Sequence, residues 1–312
     1  AEILGEREIE RDLGARLFRF RGNLEQEMAH YHPHGKSIIT AFVAGVNAWI
    51  TQTQLKPELL PLEFKSLGIK PGLWTPEVVI SRHQGLLENV TDEWNNAKAL
   101  VALGEDKFRE LIWFHPQKPD LHFDAAIPKA LLQQDVLKLY SAFRKPLSFK
   151  PEDLIGAVRN PNAAQYRDLA ALEEQEYQEA QSEKLSNIGS NNWIVSGDKT
   201  QSGYPMLAND PHRAVSAPSL RYMTHLVGPG WNVIGGGEPV IPGVSIGHNE
   251  YGAWGLTIFS TDAEDLYVYE THPTNPNLYK VGGGWRKMTI IKDTIKVKGQ
   301  APIIVELKYT HH

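Results

Sequence analysis

The stretch "SNIGSNNWIVSG", residues 186–197, separates two halves of the chain that differ in character. Before it, residues 162–187 read "NAAQYRDLAALEEQEYQEAQSEKLSN", a polar, helix-prone run typical of a solvent-exposed helix or spacer. After Gly189, an apolar run typical of a buried strand begins on the hydroxyl residue Ser190. A turn explains the glycine, but it leaves open why the strand-like run starts on a serine.

Ahead of this junction, apolar residues recur at helical spacing. Thr75 and Pro76 give one segment a cap followed by proline at the first helical position, a signal for the start of a helix. The segments with this pattern are "ERDLGARLFRF" (10–20), "SIITAFVAGVNAWITQTQ" (37–54) and "TPEVVISRHQGLLENVTDEWNNAKALVAL" (75–103). We therefore predict a mainly helical region over residues 1–175 and a spacer over residues 176–189.

Beyond the junction, short β-rich runs alternate with clusters of Gly, Pro, Asn and Asp, the pattern of strands joined by turns. These runs are "NNWIVSG" (191–197), "YPMLAND" (204–210), "PSLRYMTHLVG" (218–228), "YGAWGLTIFS" (251–260) and "DLYVYE" (265–270). A late hairpin is expected from "TIIKDTIKVKG" (289–299) and "APIIVELKYT" (301–310). Residues 190–312 are thus predicted to be β-rich, and the fold class is α+β.

The composition of the 312-residue chain narrows its possible functions. The net charge is −5 and no basic block occurs, so neither nucleic acid nor a membrane surface is expected as a partner. Because the chain has no cysteine, disulfides, thiolate catalysis and Cys-ligated zinc are excluded. No run approaches the roughly 18 apolar residues of a membrane span. Both ends read as internal to a longer chain, because the sequence begins as if within a helix and stops within a strand-like alternation.

Several motifs resemble, in the same order and spacing, the penicillin acylase family of N-terminal nucleophile hydrolases, which includes cephalosporin acylases and acyl-homoserine-lactone acylases. In the second half they are "GSNNWIVSG", "LANDPHR", "PGWNVIGGGEPVIPGVSIGHN", "YGAWGLT" and "STDAEDLYVYE". In the first half, "AFVAGVNAWI" and "LPLEFKSLGIKPGLWTPEVV" resemble the family's α-chain. The resemblance implies an αββα sandwich, in which two stacked antiparallel sheets are covered by helices.

The resemblance also implies that Gly189-Ser190 is a self-cleavage site that yields an αβ heterodimer from one precursor. A serine hydroxyl can attack the preceding carbonyl where the backbone is held bent, and glycine at that position crowds the attack least. Hydrolysis of the resulting ester leaves Ser190 as a new N-terminus. Its α-amine titrates close to neutral pH and can serve as the general base for its own hydroxyl. Without the other motifs, Gly-Ser here reads as an ordinary helix-to-strand turn.

Two further catalytic assignments follow from the resemblance. One oxyanion donor of the family is a backbone N–H that falls here on Ile258, and the other is an asparagine side chain expected beyond His312. His212 in "NDPHR" matches a position beside the nucleophile, where its carbonyl would receive the substrate N–H and its ring would orient the amine or a water. The alternative for His212 is an exposed residue in a turn.

The acyl pocket is expected, by position, to involve residues from both halves. They are Pro211, Arg213, Ser245 and Ile246 of the second half and Leu86 and Leu87 of the first. Family members that take phenylacetyl groups line this region with aromatic residues, so Arg213 and Ser245 depart from that pattern. Apolar positions in strands are mostly core, which is the alternative for this set.

An acidic cluster in "STDAEDLY" offers oxygen ligands from Asp262, Glu264 and Asp265. The family binds a structural calcium ion here through the outer two carboxylates, a carbonyl between them and an α-chain glutamate, which aligns with Glu93 in "VTDEWNNAKAL". Calcium takes six to eight oxygens, so these residues form part of a site. The alternative is a solvated acidic loop.

One feature has no counterpart in the family. The stretch "AHYHPHGKS" places His30, His32 and His34 at alternate positions, a set of ligands that zinc accepts. Proline within it breaks any regular strand or helix, and a surface turn is the favoured interpretation.

The sequence therefore indicates an amidohydrolase that cuts a linear amide of a small N-acyl compound through an acyl-Ser190 ester, of the β-lactam side-chain type. An acyl-homoserine-lactone acylase is the alternative within the class, supported by His212 and by the lack of pocket aromatics. A non-catalytic, calcium-stabilised binding module is the alternative outside it, and a zinc hydrolase built on the three histidines is a distant third. By resemblance alone, a periplasmic or secreted protein is expected.

Overall fold

The computed structural model of the chain describes residues 1–84, 89–112, 121–145, 147–156, 190–212, 219–257 and 262–311. Within these ranges the fold is a mixture of helices and antiparallel sheets. The predicted division of character holds there, because the α-helices precede Ser190 and the strands follow it. The predicted helix at 162–187 lies outside the described residues.

The α-helices begin and end where local signals in the sequence place them. The Asn23 side chain accepts hydrogen bonds from the Glu25 and Gln26 N–H groups and so caps α2, and Pro76 starts α5. Gly68, with φ 66°, ends α4 in a left-handed conformation that glycine tolerates. The helices are α1 (Ile9–Leu17), α2 (Leu24–Tyr31), α3 (Gly35–Leu55), α4 (Leu62–Leu67), α5 (Pro76–Gln84), α6 (Val90–Leu103), α7 (Glu105–Leu111) and α8 (Lys138–Arg144).

The strands pair in four antiparallel sheets among the described residues. β1 (Asn191–Val195) pairs with β2 (Met206–Asp210), and β10 (Thr289–Ile295) pairs with β11 (Ile303–Tyr309). A four-stranded sheet contains, in order, β3 (Tyr222–Gly228), β4 (Trp231–Gly237), β5 (Ile246–Asn249) and β6 (Ala253–Trp254). A three-stranded sheet contains β7 (Thr271–His272), β8 (Asn275–Val281) and β9 (Gly284–Lys287).

The chain divides into two compact units, and each combines residues from both sides of Ser190. The first unit consists of Ala1–Arg19, Gln84–Leu147 and Thr261–His312, and the second of Phe20–His83 and Ser148–Ser260. The predicted boundaries at 175 and 189 mark the expected spacer between the helical and the β-rich region, not compact units, and they stay predictions.

Two buried clusters are found among the described residues of the first unit. Ala1, Ile295 and Val297 form one, against which Ile9 and Leu13 of α1 pack. The other joins helices to a segment that follows the junction: Val90, Leu137 and Tyr140 are buried together and Trp94 and Leu266 pack against them. This cluster holds the 262–266 segment on α6 and α8.

The second unit has its core between α2, α3 and α5. Met28, Ile39, Val43, Val79 and Ile80 are buried together there. Beside it, the buried carboxylate of Glu238 forms an ion pair with Arg82, whose Nη2 atom lies 2.9 Å from Oε2. Nη2 of Arg221 lies 3.9 Å from the other carboxylate oxygen, Oε1. A buried charge of this kind requires such partners, because it has lost its hydration.

Two glycines of the four-stranded sheet allow β4 and β5 an unusually close approach. Gly235 and Gly247 are cross-strand partners. A Cβ on Gly235 would lie 2.1 Å from the Ile246 carbonyl oxygen, and one on Gly247 would lie 2.2 Å from the Ile234 carbonyl oxygen. Any side chain at either position would force the strands apart, so the pairing depends on glycine at both.

The predicted hairpin at 289–310 is confirmed as β10 and β11, which pair from Thr289 with Tyr309 to Ile295 with Ile303. Two strand predictions need correction. In the described part of the 251–260 run, residues 251–257, only Ala253–Trp254 is a strand. The 265–270 run is not a strand. At its start the Leu266 N–H donates to the Glu93 carboxylate of α6 in place of a neighbouring strand.

No helix in the described part of the chain has the length and apolarity needed to cross a bilayer.

Candidate active site

Ser190 lies directly before β1, at the open end of the β1–β2 ladder. The first paired residues are Asn191 and Asp210, so the chain following Asp210 runs alongside Ser190. The Oγ atom of Ser190 accepts a hydrogen bond from the backbone N–H of His212 at 3.0 Å. This contact fixes the hydroxyl, and a donor on Oγ favours the loss of its proton during an attack on a carbonyl carbon. The structure therefore brings Ser190 and His212 together through the main chain.

The His212 ring is oriented by a neighbour on the same face of the strand end. Its Nε2 atom lies 2.9 Å from Oδ2 of Asp210, two residues earlier. Because a carboxylate only accepts hydrogen bonds, this contact places a proton on Nε2. Both side chains are partly exposed, at 39% for His212 and 65% for Asp210, so the pair is in contact with solvent. The ring is held at the edge of the site, and the backbone of His212 faces the nucleophile.

A second segment, residues 255–257, lies against the start of the same ladder. Nδ2 of Asn209 donates to the Leu256 carbonyl at 3.1 Å, and Nδ2 of Asn192 makes a weak contact of 3.5 Å with Oγ1 of Thr257. Asn192 and Asn209 are cross-strand partners. Gly255 leaves room for this arrangement, since a Cβ there would lie 2.5 Å from Cγ of Asn209. Two facing amides thus position the chain immediately before Ile258, which itself lies outside the described residues.

The predicted pocket residues are only partly described. Pro211 is half-buried between Asp210 and His212, next to the nucleophile. Ile246 starts β5, and Ser245 directly before it donates its N–H to the Gly236 carbonyl of β4 at 2.8 Å, so both lie at the four-stranded sheet. The remaining pocket predictions, Arg213, Leu86 and Leu87, and the cleavage residue Gly189 lie outside the described residues.

The acidic segment 262–266 lies in the first unit, on the N-terminal end of α6. Nδ2 of Asn89 donates to Oδ1 of Asp262 and to the Glu264 carbonyl, both at 2.8 Å. Oδ1 of the same amide accepts the N–H groups of Ala263 at 3.1 Å and Glu264 at 2.9 Å. One asparagine therefore satisfies four polar groups of this segment.

The Glu264 carboxylate turns away from the other acids. Its Oε2 atom accepts the Tyr140 hydroxyl at 2.6 Å, and its Oε1 atom lies 3.5 Å from Nη2 of Arg144. The predicted metal role of Glu264 can therefore fall only on its backbone carbonyl while this side-chain pairing lasts.

Glu93 lies one turn into α6 and faces the same segment. Its carboxylate accepts the Leu266 N–H at 3.1 Å through Oε2. Burial raises the pKa of Glu93, the Leu266 hydrogen bond opposes this, and the negative charges of Asp265 and Asp262 raise it further. The negative charges of Asp262 and Asp265 thus act on Glu93, an electrostatic condition that favours a bound cation.

The side chains of these acids are not arranged as a metal site in the structure. In the described ranges, no group of three or more His, Cys, Asp or Glu side chains is arranged to hold a metal ion. The same holds for the three histidines: Nδ1 of His32 accepts the His34 N–H at 3.0 Å, so it stabilises a local turn at the exposed start of α3. The turn interpretation therefore describes this stretch, and it offers no zinc hydrolase site.

Sequence reasoning missed the residues that hold these segments in place. Asn209 lies inside the motif "LAND", and Asn89 stands just before the first turn of α6. Tyr140 and Arg144 are four residues apart, the spacing that places two side chains on one helical face. A cap-like asparagine and an i, i+4 pair are weak signals, and only the tertiary structure shows what they contact.

The whole chain, residues 1–312, matches the family model described as "Penicillin amidase", so the chain belongs to the penicillin amidase family. It is 27% identical, over its full length, to acyl-homoserine lactone acylase QuiP of Pseudomonas aeruginosa and to penicillin G acylase of Escherichia coli. It is 25% identical to the penicillin acylase 2 proenzyme of a Pseudomonas species, again over its full length. A thermostable penicillin G acylase from Alcaligenes faecalis is a structural neighbour, with a TM-score of 0.36 and 30% identity over 39% of this chain and 22% of that one.

The chain spans only about a third of the length of these curated relatives: 34% of the first, 39% of the second and 37% of the proenzyme.

Proposed function

We propose that this chain is part of a self-processing acylase that hydrolyses a linear amide of a small N-acyl compound. The observation that carries the proposal is the Ser190 hydroxyl, held at the start of a strand by the His212 N–H. Family membership over residues 1–312 and the names of the relatives, which include a proenzyme, support it. In the complete protein we expect an αββα sandwich and an αβ heterodimer, located in the periplasm or outside the cell.

The proposed reaction has two chemical stages. In maturation, Ser190 Oγ attacks the Gly189 carbonyl, the peptide nitrogen leaves as the Ser190 α-amine, and water hydrolyses the ester that remains. In catalysis, this α-amine takes the hydroxyl proton as Oγ attacks the substrate carbonyl, and the amine product leaves with a proton. The Ile258 N–H stabilises the oxyanion, with a second donor from outside this chain. Water then releases the acid from the acyl-Ser190 ester.

The acyl group is proposed to be of the β-lactam side-chain type, with acyl-homoserine lactones as the second candidate. The second candidate is favoured by His212, whose ring lies 2.9 Å from the Asp210 carboxylate beside the nucleophile. The relatives of both kinds are equally similar to this chain, at 27% identity.

A mass measurement followed by a substrate panel tests the proposal. Protein expressed from the complete gene is expected to split into two chains, the second beginning at Ser190. Release of amine is then compared between a phenylacetyl amide and a long-chain N-acyl-homoserine lactone. Turnover of the lactone alone would assign the second candidate, and an unsplit protein without activity on either would leave a binding module as the better description.

We propose calcium as a structural cofactor of the first unit. Carboxylate oxygens of Glu93, Asp262 and Asp265 with the Glu264 carbonyl are the hard ligands this ion prefers. The pKa of Glu93 is raised first by burial and further by the charges of Asp265 and Asp262, and the ion would offset those charges. The ion would bridge segments from both sides of the junction and take no part in the chemistry.

Asp265→Asn tests the calcium site. Added calcium is expected to raise the melting temperature of the wild-type protein by several degrees, because the ion binds only the folded state. The substitution removes one ligand charge and should abolish most of that increase. Asp293→Asn in β10, outside the acidic segment, is the control and should respond like the wild type. An equal response of all three proteins would contradict the assignment.

A further inference from the structure

The contacts around the acidic segment have a property that the calcium site does not explain. They join residues 89–144 to residues 262–266, and these two groups lie on opposite sides of the Gly189-Ser190 bond. We call the set formed by Asn89, Glu93, Tyr140 and Arg144 with segment 262–266 the Asn89 clasp. If the protein is cut as proposed, the clasp becomes a contact between two separate chains.

Each hydrogen bond named in the Asn89 clasp joins two protein groups, so none of these bonds requires a metal ion. We infer that it is a metal-independent fastener between the two chains that maturation produces, and that Asn89 is its central residue. This inference rests on the proposed function, because without cleavage the clasp is an ordinary tertiary contact.

The asparagine supplies the specificity of the clasp. An amide carries a donor and an acceptor in one plane, so it can match a backbone segment as a paired strand does. Nδ2 of Asn89 donates to the Asp262 carboxylate and the Glu264 carbonyl, while Oδ1 accepts two successive N–H groups. Alanine at this position would remove the Asn89 hydrogen bonds of those four groups. Where a group is partly buried, the loss of its hydrogen bond lowers the stability of the contact.

A second anchor lies at Glu264. Its carboxylate accepts the Tyr140 hydroxyl, lies near the guanidinium of Arg144 and receives the Val90 N–H at 3.4 Å. Val90 is the first residue of α6, so the carboxylate also faces the positive end of a 14-residue helix. Charge-assisted hydrogen bonds are about twice as strong as neutral ones. The bond from the Tyr140 hydroxyl to the Glu264 carboxylate is of this kind, and the Tyr140 side chain that makes it is buried.

The Asn89 clasp also overlaps the proposed calcium ligands. Nδ2 of Asn89 donates to Oδ1 of Asp262 and to the Glu264 carbonyl, two of the oxygens that the ion would use. The amide hydrogens therefore provide at these oxygens part of the positive potential that a cation supplies. The chains should consequently stay together when calcium is chelated.

The chain offers a matched control, Asn47. This residue makes the same kind of paired contact, donating from Nδ2 to the Trp74 carbonyl at 2.9 Å and accepting the Trp74 N–H on Oδ1 at 2.7 Å. Both partners lie before Gly189, so this contact stays within one chain after cleavage. Asn47→Ala and Asn89→Ala therefore remove similar contacts, and only the second removes one between chains.

The experiment measures dissociation of the processed protein, made from the complete gene, in EDTA. Chain separation is followed by native mass spectrometry as urea is raised. The two chains of the wild type and of Asn47→Ala should dissociate at similar rates at each urea concentration. Those of Asn89→Ala should dissociate at least about ten-fold faster, because this variant loses several hydrogen bonds between the chains. Tyr140→Phe keeps the buried ring, loses one hydrogen bond to Glu264, and should show a smaller effect in the same direction.

Each alternative result has a distinct meaning. If wild type and Asn89→Ala dissociate at the same rate, the clasp does not hold the chains. If the wild type separates as soon as EDTA is added, the metal holds them and the inference is overturned. If the wild type forms no second chain at all, the proposed function fails first, and the inference fails with it.

Discussion

Ser190→Ala is expected to leave the protein as one uncut chain and to lower its amidase activity by about 10⁴-fold or more, the scale seen when a catalytic serine is removed. Alanine has no oxygen to attack the Gly189 carbonyl, so neither the maturation ester nor the substrate ester can form. Folding should persist, because the side chain lost is small and, among the described residues, its hydroxyl takes part in one hydrogen bond, from the His212 N–H. Intact mass and amine release measure the two effects on the same sample.

Ser196→Ala is the control for this prediction. Ser196 lies six residues later, directly after β1, and its hydroxyl donates to the Asp198 carboxylate in an exposed turn. Its loss should alter neither processing nor turnover. A Ser190→Ala protein that still yields two chains with amidase activity would end the proposed mechanism, and equal losses in both variants would point to damage of β1 instead.

Asn209→Ala is expected to lower kcat by about 10- to 100-fold while KM changes little. Removal of one oxyanion donor costs about 10²–10³-fold in other hydrolases, and a displaced donor should cost somewhat less. Nδ2 of Asn209 holds the Leu256 carbonyl, and its side chain fills the space that Gly255 leaves open. Without it, the segment before Ile258 loses a contact that, in the proposed mechanism, would position the Ile258 N–H for the substrate carbonyl.

Asn232→Ala separates this effect from a general loss of stability. Asn232 in β4 also links neighbouring groups, since its Oδ1 lies 2.8 Å from Nε2 of His225 and its Nδ2 donates to Glu250. These contacts are exposed and belong to the sheet, so the variant should keep kcat within about two-fold of the wild type, as expected for surface changes. Equal kcat values for both variants would show that Asn209 does not position the oxyanion donor.

The sequence predicted the parts of the fold that depend on local pattern. The alternation at 289–310 is long and regular, and β10 and β11 follow it. The 265–270 run has the same β-rich composition, yet the Leu266 N–H at its start donates to the Glu93 carboxylate of α6 and not to a neighbouring strand. Composition reports what a segment prefers, whereas a strand also requires a neighbouring strand, which the sequence of the segment does not contain.

The candidate site shows the same limit. Ser190 and His212 were identified from the motifs that contain them, and the structure places them 3.0 Å apart through Oγ and N. The sequence does not show that the backbone N–H of His212, and not its ring, contacts Ser190. Nor does it show that the ring contacts Asp210. Such contacts depend on the register of β1 against β2, and the sequence of one strand does not fix its register against another.

The position of Ser190 just outside the β1–β2 ladder has a consequence for how such a protein matures. The five cross-strand pairs run from Asn191 with Asp210 to Val195 with Met206, and the connection between the strands passes through residues 196–205. Scission of the bond before Ser190 therefore removes no rung of this ladder and opens no loop within it. If the chain is cut as proposed, precursor and mature protein would share one folded strand pair, so activation would be a change in covalent chemistry at a chain end and would need no refolding of β1 and β2.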